Sequence, residues 1–313
     1  VIAREEFTVV KACRDGGGSV FLIGMILLFC LVPGLFSQST EGPPSWILLE
    51  RGKNSFHDGE LGVALFYFRK TLERGDLIAD GYTWTGKVYE AEGELLLAEQ
   101  AYRNAIEHEK SFYVWEERYT PRKLLARVLE REGKQEEAIA VYAEIISMQK
   151  KEYPVQEIPD RLLLSNYLEK GPDKFLELYR PEGSQTIPAH AALGTLFMER
   201  GESDAAMGHL LLACTIPLSM TIDLLLSREP GYRFITTSYG YENTLNLLKK
   251  GEADDDIALF FEDAGMYESL YHFASLLEQE GAKERALELF TILSYLNGGG
   301  RWRLLAEDAL AGF

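Results

Sequence analysis

At 313 residues, 46% hydrophobic and 26% charged, the chain has the balance of a folded protein with a sizeable core, not that of a disordered one. Its net charge of −17 excludes a nucleic-acid binder, whose backbone contacts need a basic face, and disfavours adhesion to anionic lipid.

Residues 1–39 differ from the rest. Lys11 and Arg14 precede an apolar run from Val20 to Val32, followed by Pro33-Gly34 and the small polar residues Ser37 to Thr40. A positive flank, a short apolar stretch and a small-residue exit predict a signal peptide cleaved near Ser37 or Ser39. The run is thin for a span of about 20 apolar residues. A retained anchor and a lipid at Cys30 are the alternatives, although Phe29 stands where lipoprotein signals usually carry a small residue. Arg4, Lys11 and Arg14 cancel Glu5, Glu6 and Asp15, so the remainder carries the whole negative charge. Beyond the leader only Cys214 is left, in the apolar setting LLLACTIP, which predicts a small buried side chain.

From residue 45 the pattern is helix, short turn, helix, repeated. The turn glycines are Gly59, Gly93, Gly133, Gly171, Gly201 and Gly281; the first interval is 34 residues, and Gly133 to Gly201 is 68, twice that. Small and aromatic positions align on these turns, most clearly in Tyr82-x-x-Thr85-Gly86-x-x-Tyr89-x-x-x-Gly93-x-x-x-x-Ala98-x-x-x-Tyr102-x-x-Ala105. Further units carry Gly52/Gly59/Ala64/Phe68, Ala126/Gly133/Ala138/Tyr142, Gly194/Gly201/Ala206/Leu210 and Ala274/Gly281/Ala286/Phe290. Antiparallel helices approach closely only where side chains are small, and a lone hairpin cannot bury its apolar face, so such units stack. Arg161 to Tyr179 reads as a degraded copy, and Pro217 as the end of the second helix in the unit around Gly201.

This spacing resembles the tetratricopeptide repeat, in an exported bacterial type. The resemblance implies an all-α, right-handed solenoid of about five or six helix hairpins: repeats over 40–217, a divergent helical insert over 218–266, and a terminal hairpin with a capping helix over 267–313. Three parts lie outside the pattern. They are an aromatic linker at 106–120 with Phe112, Tyr113, Trp115 and Tyr119, residues 218–256 with Pro230-Gly231 and Tyr232, Tyr239 and Tyr241, and a half-hairpin at 257–266.

No sequence signature of catalysis is present. The five histidines are scattered, and zinc-protease, dinucleotide, complete phosphate-loop and nucleophile-elbow patterns are missing. The expectation is a non-enzyme without cofactor or metal. Arg74-Gly75-Asp76 spells an adhesion tripeptide but falls where a helix should end, and Asp254-Asp255-Asp256 precedes a helix start at Ile257, where carboxylates cap.

In tetratricopeptide proteins the first helix of each hairpin lines the concave face. The resemblance places Leu49, Lys53 and Phe56 there from unit one, Thr83, Lys87 and Glu90 from unit two, and Lys123, Arg127 and Glu130 from unit three. Four cations on one face of an acidic protein predict a groove for a protein partner, a peptide or an acidic small molecule. The asparagines that some family members use to clamp peptide carboxylates are missing. The expected role is an exported, periplasmic or envelope-associated scaffold, touching membrane only through its N-terminal segment. The alternatives are a ligand-binding accessory subunit of a solute transporter and a hydrolase with a site between solenoid and insert.

Overall fold

A computed structural model describes residues 42–152, 160–181, 183–236 and 240–313. The leader and Tyr239 lie outside them. Among the described residues there are fourteen α-helices and no strand. They are α1 (Ser45–His57), α2 (Leu61–Arg74), α3 (Ile78–Glu92), α4 (Leu95–Glu107), α5 (Tyr119–Arg131), α6 (Gln135–Glu152), α7 (Asp160–Leu178), α8 (Ile187–Glu199), α9 (Ser203–Arg228), α10 (Glu242–Glu252), α11 (Asp255–Asp263), α12 (Met266–Gln279), α13 (Lys283–Ser294) and α14 (Gly300–Leu310).

Five hairpins follow one rule. A small residue in the first helix is matched by a large one sixteen positions later: Gly52, Gly86 and Gly194 lie under Phe68, Tyr102 and Leu210, and Ala126 and Ala274 share a core with Tyr142 and Phe290. At Gly86 an added Cβ would stand 2.5 Å from the Tyr102 ring, and at Gly52 2.4 Å from Phe68. The turns between them place Gly59, Gly93, Gly133, Gly201 and Gly281 at φ 72 to 85°, the left-handed region that a Cβ penalises.

The stack runs α1–α2, α3–α4, α5–α6, α8–α9, α12–α13, with the second helix of each hairpin against the first of the next and α14 closing the end on α13 and α12. Thus α6 packs directly on α8, and α7 is not the degraded repeat that its sequence suggests. Gly171 adopts φ 73°, ψ 171° instead of a hairpin turn, and Pro172 kinks the helix there. The chain leaves the stack through α7, and again through α10 and α11.

These two excursions meet. The buried Asp173 carboxylate accepts from the backbone N–H groups of Asn243 (3.0 Å) and Thr244 (2.7 Å), from Asn243 Nδ2 (3.0 Å) and from Thr244 Oγ1 (2.7 Å), capping α10 from another helix. Pro172 has no N–H for the carbonyl four residues back, that of Leu168, and Arg285 Nε of α13 donates to that oxygen at 3.0 Å. Tyr167, Phe175 and Leu176 of α7 join α9, α10, α12 and α13 in the largest apolar core.

Pro217 does not end its helix. α9 continues to Arg228 because Ala213 through Ser219, Thr221, Ile222 and Leu225 are buried on both sides of the proline. It is the one described helix long and apolar enough to cross a membrane, yet most of it is covered by protein. In the hairpin it forms with α8, His190 Nδ1 and His209 Nδ1 lie 2.9 Å apart, and the His209 ring stacks on Phe197. Cys214 is buried, which raises its thiol pKa. Gly75 ends α2 in the left-handed region, and Asp254 Oδ1 accepts from Ile257 N at 3.2 Å as the cap of α11. Tyr232 and Tyr241 pack against the C-terminal core.

Candidate functional site

The predicted groove residues come from α1, α3 and α5, and their side chains fall into two groups. Leu49 is buried in the core of the first hairpins with Ala64, Phe68, Leu77 and Val88. Thr83 is also buried, and its hydroxyl donates to the Ala79 carbonyl at 2.8 Å. Both therefore form floor under the face, and neither offers a free group to a ligand.

The cations do come together. Lys87 Nζ sits 3.8 Å above the Trp84 ring, and Lys53 Nζ lies 5.5 Å from the same ring. Phe56 meets Trp84 edge-on at 5.7 Å. Arg127 reaches across to Glu90 at 2.9 Å, joined by Arg131 at 3.0 Å. Glu90 also accepts from the Tyr102 hydroxyl at 3.0 Å, so one carboxylate ties two repeat units together. Lys123 Nζ donates to Gln185 Oε1 at 2.8 Å, from the short turn before α8.

Lys87 and Lys123 differ from the other two. Among the described residues no carboxylate lies within ion-pair distance of either, whereas Lys53 holds Glu50 at 2.7 Å and Arg127 holds Glu90. Burial pulls the Lys87 ammonium below the ordinary lysine range; Lys53 and Arg127 push it the same way, against Glu117 and Glu90. Burial also lowers Lys123, with Glu117 opposing. A half-buried ammonium whose close contact is an aromatic ring, its charge facing two further cations, is a place where an incoming anion gains most.

Two carboxylates frame this cluster. Asp80 lies three residues before Thr83 on α3, and Glu117 lies in the short turn that precedes α5, six residues before Lys123. Burial raises the Asp80 pKa, while the Tyr113 backbone N–H and Lys53 act to lower it. Beyond α5 the same face changes sign. A hollow of about 440 Å³ lies between α5, α6, α8, α11 and α12, lined by Glu130, Glu199, Asp263 and Glu268 over Ala191, Ala192 and Thr195. Counting back one 68-residue interval, Ala191 and Thr195 stand where unit three has Lys123 and Arg127. The basic character thus belongs to the first three hairpins.

Trp84 was not among the predicted groove residues. Its signal is the spacing Trp84, Lys87, Arg127-bound Glu90: three and six residues along α3, which places all three near one helix face. No group of three or more metal-ligating side chains exists among the described residues.

No protein-family model matches the chain. It is similar to an uncharacterized protein of Treponema pallidum (strain Nichols), 25% identical over 213 residues that make up 66% of this chain and 54% of that protein. A second uncharacterized protein, from Borreliella burgdorferi (strain ATCC 35210 / DSM 4680 / CIP 102532 / B31), is 23% identical over 281 residues, 80% of this chain and 84% of the relative. The chain thus spans about half the length of the Treponema protein.

Among solved structures it resembles Pseudomonas aeruginosa pilF (15% identity, 85% of this chain and 97% of that one, TM-score 0.39). It also resembles the apo form of RapI (13%, 86% and 99%, TM-score 0.40) and a tetratricopeptide repeat protein from Parabacteroides merdae ATCC 43184 (16%, 85% and 97%, TM-score 0.30). The chain's own repeat defines its class: five hairpins, each with a small-to-large pair sixteen residues apart and a left-handed glycine turn. It is a helical solenoid of the tetratricopeptide type.

Proposed function

We propose that this protein is an exported, envelope-associated scaffold that grips an anionic partner, a protein segment, a peptide or an acidic small molecule, on the face shared by α1, α3 and α5. The observation that carries this reading is Lys53 and Lys87 at the Trp84 ring, with Lys123 and Arg127 on the neighbouring α5, in a chain of net charge −17, and no carboxylate within ion-pair distance of Lys87 among the described residues. The tetratricopeptide-type stack supports the scaffold role, because stacking leaves one row of first helices to meet a partner. Export rests on the charge and hydropathy pattern of residues 1–39.

The test is capture of a glutamate-rich fluorescent peptide by wild type and by Lys87→Glu/Arg127→Glu. Expected is loss of binding in the double variant with an unchanged melting profile; equal capture retires the groove. Fractionation of cells that express the tagged chain tests export, and recovery in the cytoplasm alone argues against it.

A further inference from the structure

The linker between α4 and α5 is a stretch that the repeat does not account for and the groove does not use. It exposes three adjacent large apolar side chains, Tyr113 at 73%, Val114 at 45% and Trp115 at 50%. Solvent contact on this scale, in consecutive residues, marks a contact surface rather than a scattered surface residue. The segment is also held in place. Tyr113 N donates to Asp80 Oδ2 at 3.0 Å, and Ser111 Oγ accepts from Ala79 N at 2.9 Å. Further along, the Arg118 guanidinium lies 4.0 Å from the Trp115 ring centroid and 5.1 Å from that of Tyr119. A fixed aromatic contributes contact area with little ordering cost when it binds.

Its position follows from its anchors. Asp80 sits on α3 in the row that continues through Thr83, Lys87 and Glu90, and Glu117 sits in the short turn before α5, six residues ahead of Lys123. Glu117 belongs to the same short turn as Trp115 and acts electrostatically on Lys87 and Lys123. The strip therefore runs from the groove face of α3 to the turn that opens α5, beside Lys53, Lys87 and Lys123.

We propose that Tyr113, Val114 and Trp115 form an apolar subsite beside this groove, which selects a partner polypeptide segment carrying an aromatic or large aliphatic side chain beside its carboxylates. The proposal rests on the groove reading above. Charge complementarity supplies the occupant: a strip beside Lys53, Lys87 and Lys123 is approached most favourably by an acidic segment, and the exposed rings then receive its apolar residue.

Two fluorescent peptides test this, one with a glutamate run next to a single tryptophan, the other with serine replacing that tryptophan. Wild type should bind the tryptophan peptide about tenfold more tightly. Trp115→Ala and Tyr113→Ala should each remove most of that preference and leave the serine peptide unaffected. Tyr113 is the safer variant, since its structural contact is made by its backbone. The subsite is overturned if both peptides weaken together, or if neither changes. Failure of the groove itself looks different: wild type binds neither peptide, or Lys87→Glu/Arg127→Glu binds both undiminished, and the subsite then falls with it. Self-association of wild type abolished by Trp115→Ala in sedimentation would assign the strip to a second copy and also overturn the proposal.

Discussion

Acidification from about pH 7 to pH 5 should destabilise this fold through one pair of rings, by about 2 kcal/mol. His190 of α8 and His209 of α9 face each other Nδ1 to Nδ1 at 2.9 Å, so one nitrogen donates and the other must accept. Burial holds the His190 pKa down to about 3 against an ordinary 6.5, with His209 and Lys150 adding to the shift. Between those values the unfolded chain binds a proton that the folded chain refuses. Stability from this group is therefore complete above about pH 6.5, falls as pH drops below it, and goes on falling until about pH 3. For a single site, the free-energy cost at pH 5 is RT ln(1 + 10^1.5), about 2 kcal/mol. The assay is urea unfolding followed by circular dichroism, for wild type and His190→Gln, at both pH values. Other titrating groups contribute to both proteins, so the quantity that matters is the difference in pH dependence. The variant should lose about 2 kcal/mol less than wild type over this interval. Parallel losses would refute the reasoning.

Two glycines should respond in opposite directions to alanine. Gly86→Ala forces a Cβ to within 2.5 Å of the Tyr102 ring and should destabilise by about 1–3 kcal/mol in thermal melts, whereas Gly208→Ala, mid-helix with nothing within 4 Å, should stabilise by up to about 1 kcal/mol. Asp173→Ala strips four hydrogen bonds from the start of α10 and should cost about 2–4 kcal/mol in denaturant unfolding, with proteolysis appearing first near residues 240–252. Arg285→Met leaves the Leu168 carbonyl without that donor and should cost about 1–3 kcal/mol; a cost near zero would show that this oxygen does not need Arg285.

The hairpins were legible because their turns demand a residue without Cβ and their contacts demand a small one. Both requirements leave marks at fixed spacing, Gly59 to Gly93 and Gly52 to Phe68. Gly171 carries the same letter for a different reason. Its ψ of 171° is far from the left-handed turn, and the following Pro172 is the signal, because the residue before proline is kept extended. Pro217 misled in the opposite way, since burial of α9 on both sides outweighs one missing hydrogen bond. At the groove, the resemblance picked out Lys53, Lys87 and Arg127 because they recur at one position of the repeat. It misplaced Leu49 and Thr83, since each residue turns a helix by about 100° and core-facing positions adjoin open ones. Trp84 was missed for the same reason. The anchoring of the linker through Asp80 was not legible, because it depends on a hydrogen bond between residues 33 apart in sequence.

A stack of hairpins in which each touches only its neighbours behaves as a spring, yielding at every joint. Here α7 leaves the chain before the fourth hairpin, crosses to α10 through Asp173, and is fastened to the fifth by Arg285. Bending between the last two hairpins would strain those links, just as bending between the second and third would strain the ties of Glu90 to Arg127 and Arg131.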